Sequence, residues 1–98
     1  MKKNLYDNIV SQVSDICRIS TDEIFNRESK TQGKRARQMI WWLAFDRNIE
    51  LFYIREYTES HGLKMATSTI IHGIRAFQKR MDNDDDILKI INQIRISI

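Results

Sequence analysis

The sequence predicts an all-α fold, a small bundle of about five helices. Three observations carry it. Apolar residues recur at spacings of three and four along most of the chain, as on one face of a helix. Proline is absent and glycine occurs only at Gly33, Gly62 and Gly73, too few turn residues for a sandwich or barrel of short strands. Capping residues stand just ahead of the apolar runs.

In the first segment Leu5, Ile9, Val13, Ile16 and Cys17 form one apolar stripe, with Asn4 expected as its cap. Ser20-Thr21-Asp22-Glu23 then reads as a capping box that opens a short second helix anchored by Ile24 and Phe25. Asn26 to Gly33 has no apolar residue and reads as a loop. A third helix is expected from about Lys34 to Arg47. Its centre, Met39 to Phe45, is apolar all the way round, which marks it as the middle of the fold.

A fourth helix is expected from about Glu50 to Thr58, with Asn48 as cap and Leu51, Phe52, Ile54 and Tyr57 inside. Gly62 suits a C′ position that needs positive φ. A fifth helix begins between Lys64 and Thr67 and runs to about Met81, its core stripe being Ile70, Ile74, Phe77 and Met81. Asp84, Asp85 and Asp86 suit the start of a terminal helix that carries Ile87, Ile91, Ile94 and Ile98. The 98 residues make one domain, 1–98.

The net charge of +3 is mild, but it is segregated. Between Arg27 and Arg37 stand five bases (Arg27, Lys30, Lys34, Arg35, Arg37) and one acid, Glu28. Asp82 to Asp86 carries four acids and no base. One face meeting a polyanion would account for this division. Lys34, Arg35 and Arg37 are expected in the first turn of the third helix, where the macrodipole favours a docked phosphate. On the fifth helix Ser68, His72, Arg75 and Lys79 fall on one polar, basic face without acids.

The order of these elements is that of a helix-turn-helix, in which the second helix of the motif enters the major groove. The short side chains at the head of that helix, Ala66, Thr67, Ser68 and Thr69, let the backbone approach base edges, and hydroxyls there bond bases or phosphates. Simple capping of the helix by Thr67, Ser68 or Thr69 is the competing reading.

Other chemistry finds no residues. The single cysteine, Cys17, sits in an apolar stripe and is expected to be inert. With two histidines besides, no structural zinc site can be assembled, and no P-loop or dinucleotide fingerprint occurs. Trp41 and Trp42 are expected in the core rather than as a stacking platform. We expect no enzyme, no cofactor and no metal. We also expect no membrane span or signal peptide, and a cytoplasmic, nucleoid-associated setting.

Three stretches resemble the C-terminal DNA-binding domain of the bacterial chromosomal replication initiator DnaA. They are Ile19-Ser20-Thr21-Asp22-Glu23-Ile24, Lys34-Arg35-Ala36-Arg37-Gln38-Met39-Ile40, and Met65-Ala66-Thr67-Ser68-Thr69-Ile70-Ile71-His72-Gly73. The resemblance spans roughly Ile9 to Ile94, with Arg35, Arg37, Gln38, Thr69, His72 and Gly73 at matched positions. It implies a helix-turn-helix with an added basic loop that reaches the minor groove. It also implies backbone contacts by Thr69 and His72 and a clamp formed by the Arg27 to Arg37 region. Where the family has Arg, Asp and His at the head of its reading helix, this chain has Met65, Ala66 and Thr67.

The expected partner is therefore double-stranded DNA, in replication or transcription control of a phage or other mobile element, without ATPase activity. Arg27, Lys30, Lys34, Arg35, Arg37, Gln38, Lys64, Arg75, Lys79 and His72 are expected near the backbone, and Ala66, Thr67, Ser68 and Thr69 near the bases. The alternative is a protein-interaction module that kept the fold and lost DNA reading. In either case Ile87, Ile91, Ile94 and Ile98 are a candidate homodimer seam.

Overall fold

Three consecutive long helices of this chain end in the same way, and those ends set its corners. In the computed structural model, which describes residues 2–98, α1 spans Lys2–Cys17, α2 Thr21–Ile24, α3 Thr31–Asp46 and α4 Leu51–Ser60. At the end of α1, Arg18 takes a left-handed φ of 55° and the Ile19 amide returns to the Ser14 carbonyl at 3.1 Å. After α3, Asn48 (φ 63°) plays the same part and Ile49 bonds back to Ala44. After α4, Gly62 (φ 91°) does so, and Leu63 bonds back to Thr58. These are Schellman closures, in which the residue after the left-handed one packs inward. Ile49 and Leu63 are indeed buried.

α5 (Thr67–Asp82) and α6 (Asp85–Ser97) complete an all-α bundle of six helices among the described residues, the five successive helices and the terminal one that the sequence predicts. α3 is its centre, packing most extensively on α5 and then on α1, with α2 and α4 also against it. Ile40, Leu43 and Ala44 are fully enclosed, and Trp41 and Trp42 are core residues. Each indole N–H finds a partner: Trp41 Nε1 donates to Thr58 Oγ1 (3.1 Å) and Trp42 Nε1 to Gln78 Oε1 (2.8 Å). Ile70, Ile74, Phe77 and Met81 form the buried stripe of α5, as their spacing predicts.

The Ser20 hydroxyl caps α2 by accepting from the Glu23 amide, and Asp84 caps α6 by accepting from Asp86 and Ile87. Several expectations are corrected. Asn4 lies inside α1, which already begins at Lys2. The buried stripe of α1 is Tyr6, Ile9, Val10 and Val13, while Ile16 faces outward. Asn48 ends α3 instead of capping α4, whose N-cap is Glu50. Phe45 and Phe52 lie 49% and 62% exposed despite their apolar surroundings in sequence.

Ile91 and Ile94 are fully enclosed and Ile87 and Ile98 are partly buried against them, so the isoleucine stripe of α6 packs into the core of the chain itself. Burying two such side chains contributes about 3–6 kcal/mol, a large share of a small domain's stability. Arg95 adds a two-point ion pair to Asp46 (3.1 and 3.4 Å), and Arg47 donates to the Ile98 carbonyl, tying the end of α6 to that of α3. No helix of the structure is long and apolar enough to cross a membrane.

Candidate nucleic-acid interface

The head of α5 is held from three sides. Leu63, 1% exposed, pins the turn after α4 into the core. Arg27 Nη2 reaches across from the segment after α2 to the Lys64 carbonyl (2.8 Å). Arg55 Nη1 on α4 donates to Thr67 Oγ1 at 3.4 Å. The residue at the N-cap is Ala66, which has no side chain able to cap, and no acid stands in the first turn. The competing reading, capping by Thr67, Ser68 or Thr69, therefore does not hold. The first amides of a helix lack intrahelical acceptors, and here no side chain takes them up.

Beside this helix start lies a cleft of about 240 Å³ between α3 and α5. Lys34, Arg37, Gln38 and Trp41 form one wall, Thr69, His72 and Gly73 the other, and Met65 closes the end. Among the described residues none lining it is acidic. Lys34, Thr69 and His72 are exposed and Gln38 is half-buried, so ammonium, amide, imidazole and hydroxyl groups open onto one surface. Ser68, Arg75 and Lys79 are also exposed on α5. Lys64 and Ala66 line a neighbouring depression with Arg55, Glu59 and Met65.

The other expected contacts fare differently. α3 begins at Thr31, so Lys34, Arg35 and Arg37 do not make up its first turn, and the polar loop is shorter than its composition suggests. Thr31 and Gly33 are poor helix formers that the central apolar stretch carries along. Lys30 is the N-cap residue, exposed and without a capping bond.

Arg37 is the main correction. It is 5% exposed, and its Nη1 donates to the carbonyls of Ile24 (2.8 Å) and Asn26 (3.2 Å), where α2 ends and its backbone acceptors need donors. Its guanidinium also lies 5.9 Å from the Trp41 ring. Burial, with nearby Arg27, pushes its pKa down from the usual arginine value. Arg37 lines the cleft, but it is nearly buried there and its Nη1 is committed to two carbonyls, so it braces the fold where the sequence suggests a free base.

Arg35 turns away as well. It lines a second cleft with Cys17, Ile19, Gln32, Ala36, Met39 and Arg80. Burial pushes the Cys17 thiol above its ordinary pKa, the opposite of activation.

Two residues of the depressions beside the head of α5 carry no contact role in the sequence. Arg55 is the only base of α4, which is the signal that could have found it. Met65 lines both depressions, and no residue pattern announces that. No family model matches the chain, and no curated protein or solved structure shows significant similarity to it.

Proposed function

We propose that this chain is a double-stranded-DNA-binding domain of the helix-turn-helix kind, with α4 as supporting helix and α5 as reading helix. One observation carries the reading. Lys34 and Gln38 of α3 share an acid-free, open cleft with Thr69 and His72 of α5. A duplex whose groove receives the head of α5 would set its backbone against Lys34 and Lys64, and against Arg75 and Lys79 further along. The uncapped amides of α5 and its clean first turn favour an anion at that end.

The sequence resemblance to the initiator's C-terminal domain supports the same reading. Arg37, Gln38, Thr69, His72 and Gly73 are matched positions, and all five line the cleft. Specificity would differ from the initiator's, because Met65, Ala66 and Thr67 offer short or apolar groups where Arg, Asp and His would make bidentate contacts. Control of replication or transcription is the process that fits such a module.

The test is fluorescence anisotropy with a random duplex. The unmodified chain should bind, and Lys34→Ala or His72→Ala should weaken binding without loss of thermal stability. A second reading, a protein-interaction module, is favoured by exposed Phe45 and Phe52. Phe45 opens a groove of about 350 Å³ with Leu51, Ile71, Ile74 and Arg75. Absence of any duplex binding at low salt would decide for it.

A further inference from the structure

Arg35 on α3 and Arg80 on α5 line one cleft at the junction with the end of α1. The two charges repel: Arg35 lowers the pKa of Arg80, second only to burial. Asp84 draws it the other way, yet no carboxylate lies within ion-pair distance of Arg80 among the described residues. Arg80 Nη1 is enclosed without a hydrogen-bond partner. The stem of Arg80 is fixed from below, its guanidinium 5.5 Å from the Phe77 ring. Gln32 adds an amide to the same rim, and Ile19, Ala36 and Met39 form apolar walls.

An enclosed guanidinium nitrogen without a protein partner calls for a water or an anion, and a second arginine on the same cleft favours the anion. We propose that this cleft is a phosphate-binding site, with Arg35 and Arg80 clamping one phosphate group and Gln32 donating from the side.

A phosphate fits better than a carboxylate. A phosphate monoester carries close to two negative charges at neutral pH and a backbone diester one, and either presents several oxygens that accept the forked donors of both arginines at once, where a carboxylate has two. The cleft is about 240 Å³, room for roughly eight waters, so it admits a phosphate group together with several waters or the first atoms of its ester. The site is separate from the Lys34–His72 cleft and does not depend on the function proposed for it. The phosphate has two sources, a soluble phosphate ester or the backbone of a bound duplex.

The experiment is a titration of the full chain with inorganic phosphate, followed by ¹⁵N NMR of the backbone and the arginine Nε–H groups. Potassium chloride at matched ionic strength is the control. Phosphate should give saturating shifts centred on Gln32, Arg35, Ala36 and Arg80, with Kd on the order of 1 mM or tighter. Arg80→Met, which keeps an apolar stem over Phe77, should weaken binding at least about tenfold, equivalent to ~1.4 kcal/mol.

Arg35→Gln, at an exposed position, should do the same and serves if Arg80→Met unfolds. Shifts that grow linearly and match those of chloride would overturn the proposal. So would saturation unaffected by both substitutions in folded protein. With saturation established, duplex affinity identifies the source. A loss in Arg35→Gln, with competition by phosphate, assigns the site to the DNA backbone. Unchanged affinity assigns it to a soluble ester.

Discussion

Gly73 of α5 lies flat against the indole of Trp41 in α3: a Cβ at residue 73 would stand 2.7 Å from Trp41 Cζ3 and 2.8 Å from Cε3. The ring cannot retreat, because it is buried and its Nε1 is bonded to Thr58. Glycine within a helix costs about 1 kcal/mol relative to alanine, so close approach, not helix formation, is what this residue serves. That approach sets the spacing of α3 and α5, and with it the cleft that joins Lys34 and Gln38 to Thr69 and His72.

Gly73→Ala should therefore destabilise the protein, by about 1–3 kcal/mol, even though alanine is the better helix former. Urea denaturation reads this directly. A neutral or stabilising result would mean that the α3–α5 spacing is not set at this contact.

Arg37 and Lys34 should separate stability from binding. Arg37→Met removes a charged donor from the Ile24 and Asn26 carbonyls and should cost about 2–3 kcal/mol in thermal or urea unfolding. Lys34→Ala should leave stability within about 0.5 kcal/mol, since the residue is exposed, and should weaken duplex binding. If Arg37→Met kept full stability and lost only DNA affinity, the bracing role would be wrong.

The contrast shows what the sequence makes legible. Ser20, Gly62 and Asp84 act where their own neighbours dictate, so local chemistry announces each of them. The core stripe of α5 follows from its period. Arg37 cannot be read in this way. Whether a base faces water or a carbonyl depends on α2 ending beside it, a tertiary fact, and the charge count of the Arg27 to Arg37 region is blind to it. Asn48 likewise reads as a cap for α4, because the left-handed closure of α3 uses the same residue type as an N-cap. The candidate interface is legible on α5, where one helix carries its own face. It is half legible on α3, where Lys34 and Gln38 face the cleft and Arg35 does not.

Stability should fall at both ends of the pH scale through one contact, the Tyr57 hydroxyl donating to Asp7. That bond, then Lys3, holds the Asp7 carboxyl below its ordinary pKa. Its contribution is complete above the unfolded value of about 3.9 and is lost as pH falls through the folded one. Burial first, and then Asp7, pushes the Tyr57 phenol up, and burial does the same for Tyr6 stacked on it at 3.8 Å. Neutral phenols stabilise fully below about pH 10, and that stability is lost as pH rises further. Chemical denaturation across pH should show both limbs. Asp7→Asn should flatten the acid limb modestly, since the side chain is 43% exposed, and leave a Tyr6 alkaline limb in place.

Selection of bound sequences from a random duplex pool should assign reading to the head of α5. Ser68→Ala or Thr69→Ala should change the preferred bases, with discrimination altered by about 1–3 kcal/mol at the positions contacted. Lys79→Ala should lower affinity for all sequences alike. A pool whose preference survived both hydroxyl substitutions would move base reading elsewhere.

The most direct measurement is the salt dependence of duplex affinity for the unmodified chain and for Lys34→Ala. With roughly four to six phosphates neutralised, the logarithm of the association constant against log salt should have a slope of about −4 to −5, and Lys34→Ala should reduce its magnitude by about 0.9. A flat line, or an unchanged slope in Lys34→Ala, would contradict a duplex seated across α3 and α5.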